Sequence, residues 1–445
     1  MGYGATMFDA DLGLYARNRA RFLDALGDDA ALFFGAPHHI RNGDSEFRYR
    51  PDSDVLYLSG WTQPEVALLF RPGHEQPFLM FVQPRDPKVE QWAGRRPGIE
   101  GAIEQYGADA AFPFRQLAEK LPSLLQGYRT LHYRFAADAD HDRLVAGAVR
   151  ASRKQARYSG LDVPDAFIDP SRTLHELRLK KTAAEIAILR QAALITTDAH
   201  RAAMAATAPG VFEYELEAII EGTFRRRGGN GPGYSSIVGG GPNATILHYV
   251  DNNMVLRDGE LVCVDAGCEV RYYTADVTRT WPVSGTFTGL QRDLYEVVLL
   301  AQRAAIDTVR AGGAFLGPHN AATRALTEGM VALGLLEGDV DELIATEAHK
   351  RYYMHGTSHW LGLDVHDVGA YARSGASRPL EPGMVLTIEP GLYIAEDDTD
   401  APEALRGVGI RIEDDILVTD GDPDILTDAA PRSIRDVEAA VRGHR

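Results

Sequence analysis

The chain of 445 residues carries 46 Lys and Arg against 63 Asp and Glu, and its net charge of −17 repels phosphate backbones and anionic lipid, so neither nucleic acid nor membrane is an expected partner. With 45% hydrophobic and 24% charged residues, the composition is that of a folded enzyme and excludes disorder as the main state. The length suggests two or three domains of ~150 residues, the two cysteines cannot build a disulfide framework, and no apolar stretch reaches the ~18 uncharged residues of a membrane span.

The opening MGYGATMFDADLG lacks the basic and apolar regions of an export signal, and a reducing, cytoplasmic setting is expected. Residues 12–26 follow with Leu14, Phe22 and Leu26 at helical spacing. AALFFGA, DVLYLSG, VALLF and PFLMFVQP are short apolar runs bounded by Gly, Pro or Asp, which predicts strands and, with the helix, an α/β domain. Two prolines in LDVPDAFIDPSR, residues 161–172, precede a change to long helical patterns. The domain boundary is placed there, giving a smaller α/β domain over 1–172 and a second domain over 173–445.

The second domain opens with Thr182-Ala-Ala-Glu185, a capping-box pattern, and a helix runs from it toward Pro209-Gly210. Leu216, Ile219, Ile220 and Phe224 mark a further helix ending at Gly228-Gly229, and Leu294, Val297, Val298 and Ala301 mark another ending near Gly312. Between and after them lie glycine-rich β segments, so helices and strands are segregated and the class is α+β. VGGGPNA, before His248, lacks the Lys and Ser/Thr of a phosphate loop and reads as a tight turn.

One internal echo organises this domain. GELVCVDAG (259–267) matches GMVLTIEPG (383–391) in its glycines, its apolar run and the carboxylate at the seventh place, Asp265 or Glu389. Each copy is followed by a second strand with an acid inside it, Asp276 in YYTADVTRTW and Glu413 in VGIRIEDDILV. The pairing implies two half-domains facing each other across a pseudo-twofold axis.

A lone strand aspartate is commonly a salt-bridge partner, but four embedded acids repel one another and need compensation by a cation. YMHGTSHWLGLDVHDVG adds His355, His359 and His366 among glycines that argue for extended structure rather than one helix face. Four carboxylates and one imidazole make a hard-oxygen site with room for two ions, and this favours Mn²⁺ over a thiolate zinc site. Cys263 and Cys268 have no further cysteine to complete such a site and read as small core residues. G-x-S-x-G, H-E-x-x-H and G-x-G-x-x-G are absent, which weakens serine hydrolase, zincin and dinucleotide readings.

The motifs VDAG, TADVTRTWPVSG, HGTSHWLGLDVHDVG, TIEPGLYI and GIRIEDDILVT, with YRPDSDVLYLSG and WAGRRPG upstream, resemble the Xaa-Pro aminopeptidase (aminopeptidase P) family of pita-bread metallopeptidases over nearly the whole chain. The resemblance implies a C-terminal pita-bread domain behind a smaller α/β N-terminal domain. It implies two divalent ions, with Mn²⁺ expected and Co²⁺ or another ion as alternatives, held by Asp265, Asp276, His359, Glu389 and Glu413. His248, His355 and His366 match histidines near the scissile bond, and Arg411 matches an arginine that buttresses the metal carboxylates. Glu389 is then the proton shuttle, and His248 or His366 stabilises the oxyanion. The implied activity releases the N-terminal residue from peptides with proline second, and family members often form dimers or tetramers. The alternatives are a prolidase, which cuts only Xaa-Pro dipeptides, and a non-peptidase pita-bread binding protein.

Overall fold

Residues 12–443 are described by the structure, a computed structural model of the chain. Contacts divide the chain into two units, one ending at Arg178 and the other beginning at Leu179.

In the first unit, helix α1 (Leu12–Leu26) leads into strand β1 (Ala30–Phe34), helix α2 (Ser53–Ser59) and strands β2 (Ala67–Phe70) and β3 (Phe78–Val82). Strand β4 (Ala110–Pro113), helix α3 (Leu117–Leu124), strand β5 (Thr130–His132), helix α4 (Ala139–Ser159), strand β6 (Ala166–Ile168) and helix α5 (Ser171–Leu179) complete it. The sheet order is β4-β3-β2-β1-β5-β6, antiparallel across β3-β2-β1 and parallel elsewhere. Strand alternation sends Leu32, Leu69 and Phe81 to one face, against Leu117 and Leu121 of α3 and Val145 and Val149 of α4. Phe33 and Phe70 point the other way and meet Phe22 of α1 edge to face at 5.5 and 5.3 Å. Fully burying each such side chain contributes ~1.5–3 kcal/mol.

DVLYLSG forms helix α2, not the predicted strand. Asp52 caps it by accepting from the Asp54 and Val55 amides at 3.0 and 2.9 Å, and Gly60 closes it in the left-handed region at φ 73°. Every residue of α2 is buried, so no polar face was present to reveal a helical period.

The unit boundary at 178/179 lies beyond the boundary expected at 172/173, because α5 runs through that point and is anchored to the first unit. Arg178 reaches Asp54 at 2.7 Å, and Arg134 reaches the other oxygen of Asp54 at 2.8 Å. Burial opposes ionisation of Asp54, but His175 and Arg178 overcome it and hold the carboxyl well below its usual range.

The second unit opens with α6 (Ala183–Ala206), whose Thr182–Glu185 capping box forms as expected, and α7 (Glu213–Arg226), which packs on α6. Strands β7 (Ile237–Gly240), β8 (Leu261–Asp265) and β9 (Thr278–Pro282) form one antiparallel sheet in that order. VGGGPNA is the end of β7 and a single 3-10 turn, with Gly241 at φ 53°. Helices α8 (Gly289–Ile306) and α9 (Gly317–Ala332) pack together. Strands β10 (Val385–Ile388), β11 (Gly391–Ile394), β12 (Val408–Arg411), β13 (Asp414–Leu417) and β14 (Asp424–Ile425) follow, then helix α10 (Ile434–Arg442). The second antiparallel sheet has the order β10-β13-β14, with β11 and β12 paired beside it. This is the α+β class expected, with the echo strands β8 and β10 paired antiparallel to the later strands β9 and β13.

Of the four acids only Asp265 belongs to a strand, as its last residue, and the other three flank strands rather than sitting inside them as the motifs suggested. Asp265 ends β8, Asp276 precedes β9, Glu389 follows β10 and Glu413 precedes β13. Antiparallel pairing brings the end of one strand beside the start of its partner, so each sheet presents two acids at one edge. The Glu413 amide donates to the Thr278 carbonyl at 3.0 Å and joins the two edges. Among the described residues no helix is long and apolar enough to cross a membrane, and both free cysteines are buried.

Arg178→Ala removes one cation from a buried carboxylate and should destabilise the protein by about 3 kcal/mol in denaturant unfolding at pH 7. Because the folded value of Asp54 is depressed, the pair's contribution is full above the unfolded carboxyl value of about 3.9 and is lost as pH falls below it toward the folded value. Variant and wild type should therefore converge in acid; a constant difference down to pH 2 would contradict the assignment.

Candidate metal centre

The converging strand edges open into a cavity of about 450 Å³ whose lining includes Asp265, Asp276, Glu389 and Glu413. The same wall carries Arg411 and all four histidines singled out from the motifs, His248, His355, His359 and His366. His359 reaches the cavity because residues 357–361 run beside β10 as an extended segment. The Thr387 amide donates to the His359 carbonyl at 3.0 Å, and the His359 amide donates to the Thr387 hydroxyl at 3.1 Å. Asp367, next to His366, forms a buried pair with Lys181 at 3.0 Å and ties down the far end of this loop.

One ligand atom each from Asp276, His359 and Glu413 lies within 4.8 Å of the others. His359 Nε2 is 3.4 Å from Asp276 and 3.5 Å from Glu389, while its Nδ1 faces the Trp360 carbonyl at 3.1 Å. Arg411 Nη2 donates to Asp265 at 2.7 Å, and its Nε donates to the Thr278 hydroxyl at 3.0 Å. Thr278 in turn donates to Glu413 at 2.6 Å, so one arginine steadies acids from both sheets. His355 lies farther out, 2.8 Å from the Tyr393 hydroxyl and 3.8 Å from Glu389. The His366 and His359 rings meet edge to face at 4.4 Å.

The electrostatics fit a cation. Burial, with repulsion from Asp276, Glu389 and Asp265, raises Glu413 well above the usual carboxylate range. Burial and Asp265 raise Asp276 in the same way. Desolvation lifts Glu389 to about 7 against the pull of His359 and Arg411. His359 is desolvated too, but hydrogen bonding to Asp276 and the charge of Glu389 raise it to about 9. Side-chain charges alone therefore do not balance here, and the acids are shifted toward their protonated forms. A divalent cation supplies the missing charge, and carboxylate oxygens with one imidazole form the hard donor set it requires.

Residues with no sequence signal complete the site. The Tyr234 hydroxyl faces both Asp265, at 2.6 Å, and Asp276. Tyr393 links Arg411 Nη1, at 3.1 Å, to His355. Asp415 accepts from the Asp276 amide at 3.2 Å, and burial raises it well above the carboxylate range. Only its place beside Glu413 could have singled out Asp415, and Tyr234 in GPGYSS offered nothing.

The fold and this site define a metallopeptidase, and comparison with known proteins agrees. Residues 187–420 match the metallopeptidase family M24, and residues 15–132 match the aminopeptidase P N-terminal domain. The chain belongs to family M24 and, within it, to the Xaa-Pro aminopeptidases. It is 45% identical to a Xaa-Pro aminopeptidase of Escherichia coli (strain K12), over 92% of this chain and 93% of that protein. Identity to the Xaa-Pro aminopeptidase of Haemophilus influenzae is 42% over the same shares of each chain. The solved structure of Pseudomonas aeruginosa aminopeptidase PepP superposes with a TM-score of 0.95 at 44% identity, covering 98% of this chain and 99% of that one.

A partner that orients ligating carboxylates typically accounts for about 10- to 100-fold in metal affinity. Tyr234→Phe should therefore weaken divalent-ion binding by that factor, read as a higher concentration of Mn²⁺ needed to restore thermal stability after chelation. Unchanged affinity would mean that the tyrosine only fills space.

Proposed function

We propose that this protein is a metal-dependent Xaa-Pro aminopeptidase that hydrolyses the bond between the first residue and a following proline. The observation that carries the reading is the convergence on one cavity of four carboxylates, His359 and three further histidines in a chain of this family. Asp265, Asp276, His359, Glu389 and Glu413 would hold two divalent ions, and the oxygen-rich donor set favours Mn²⁺, with Co²⁺ or another divalent ion as alternatives. When bound, such ions acidify water and polarise a carbonyl.

The protein's own side chains then have separable tasks. Glu389 is placed to take a proton from the attacking water and deliver it to the leaving nitrogen. The proline nitrogen must gain a proton to leave as a neutral amine, so its departure depends on that delivery. His248 and His366, on the more exposed wall, donate hydrogen bonds to the carbonyl oxygen as negative charge develops there. His366 is pushed below its ordinary value by desolvation and by His359, so its neutral form donates through one ring nitrogen. His355 contacts substrate from the Glu389 side, and Arg411 holds Asp265 in place through its hydrogen bond. The substrate's free amine pairs with Asp265, which restricts attack to the first peptide bond.

The net charge of −17 disfavours nucleic acid and anionic lipid as partners, and the oligomer proposed is a homodimer or homotetramer. A cytoplasmic location is consistent with two reduced, buried cysteines. The N-terminal and catalytic domains are taken as the two units, the first ending at Arg178 and the second beginning at Leu179.

Turnover of a Xaa-Pro-Yaa tripeptide, after chelation and with Mn²⁺ restored, tests the reading; cleavage confined to Xaa-Pro dipeptides would make the protein a prolidase. Glu389→Gln should lose roughly 10² to 10⁴ in kcat even with saturating Mn²⁺. Glu413→Gln removes the same charge without the shuttle, so excess Mn²⁺ should restore most of its activity. Equal recovery of both variants would show that Glu389 is a ligand only.

A further inference from the structure

Glu213, Glu217 and Glu221 recur every fourth residue on α7 and share one helix face. That face holds the segment 236–254, which carries His248. Glu213 is fully buried, and its Oε1 accepts from the Gly240 amide at 2.7 Å and from Asn243 Nδ2 at 3.0 Å. Its Oε2 accepts from the Tyr249 hydroxyl and from the Met254 amide, each at 2.9 Å. One step down the helix, Glu217 accepts from Asn252 Nδ2 at 3.0 Å, and Asn252 itself bonds the Ser236 carbonyl and the Val238 amide, both at 2.9 Å. Glu221 accepts from the Ser236 hydroxyl at 3.1 Å.

The helix does not need Glu213 for capping, since Glu215 already accepts from the Phe212 amide at 2.8 Å. A buried carboxylate is costly unless its lone pairs are filled, and all four donors to Glu213 come from one stretch of chain. That stretch is thereby confined to a single arrangement. Tyr249 turns inward onto Glu213, whereas its neighbours His248 and Val250 line the cavity. The anchor is thus one residue from the imidazole.

We propose that Glu213 is a positioning residue for His248, gripping its loop from behind through Tyr249 and the Gly240 and Met254 amides, with Glu217 and Glu221 extending the grip. The proposal rests on the reading of His248 as a donor to the scissile carbonyl. Glu213→Gln keeps the shape but turns an NH₂ group toward donors, so at least one amide loses its acceptor. Its kcat should fall by about 10- to 100-fold, the scale of a misplaced catalytic group, while metal content stays at the wild-type level. Tyr249→Phe removes one hydrogen bond from a side chain that otherwise remains packed, and should show a smaller loss in the same parameter.

The decisive comparison is a double-mutant cycle on a Xaa-Pro-Yaa tripeptide with saturating Mn²⁺. In a His248→Ala background neither substitution should lower kcat further. Losses that multiply with His248→Ala, or full activity in Glu213→Gln, overturn the positioning role. A wild-type protein that leaves the tripeptide intact overturns the peptidase reading, and the role of Glu213 in catalysis with it. Amide exchange gives the separate answer on the grip itself: faster exchange across 238–254 in Glu213→Gln supports it, and unchanged exchange overturns it whatever the activity.

Discussion

Four carboxylates that repel one another at a single edge are the constraint on which the catalytic unit is built. Asp265 and Asp276 come from one sheet, Glu389 and Glu413 from the other, and the amide-to-carbonyl bond from Glu413 to Thr278 holds the two edges together. Left to themselves, these acids would take up protons or push the sheets apart. Arg411 and His359 offset part of the charge, and the rest defines what the cavity binds. Metal dependence follows from an edge that requires cations.

The scaffold behind that edge is correspondingly rigid. Arg279 and Asp414 are both fully buried and paired at 2.7 Å, and Arg279 also donates to the Glu413 and Thr278 carbonyls. Thr427 and Gln302 donate to the two oxygens of Asp414 at 2.6 and 2.8 Å. The ligand-bearing strands are thus fixed by a buried polar network under the site as well as by the apolar core around Leu386, Ile388 and Ile416.

Much of this was legible because chemistry leaves odd residues in apolar runs. The echo of GELVCVDAG in GMVLTIEPG exposed both sheets and all four acids, and the glycines around His359 pointed to the extended segment found there. Other features depend on pairing that no local pattern states. The acids lie at strand ends because the ladder stops at Asp265↔Thr278 and Ile388↔Asp414, a matter of register. DVLYLSG looked like a strand because a helix buried on every side has no polar stripe. Tyr234, Tyr393 and Glu213 act across long separations in sequence, so their roles emerge only when distant segments meet.

The most direct test of the charge account is calorimetric titration of metal-free protein with Mn²⁺ at pH 6 to 7, repeated in buffers of different ionisation enthalpy to count protons. Glu389, lifted to about 7, and His359, lifted to about 9, carry protons in this range and release them as the ion binds, less so as pH rises, and Asp276 and Glu413 are shifted in the same direction. The account predicts two ions per chain with net proton release. Failure to bind Mn²⁺, or binding with no protons released, would contradict it.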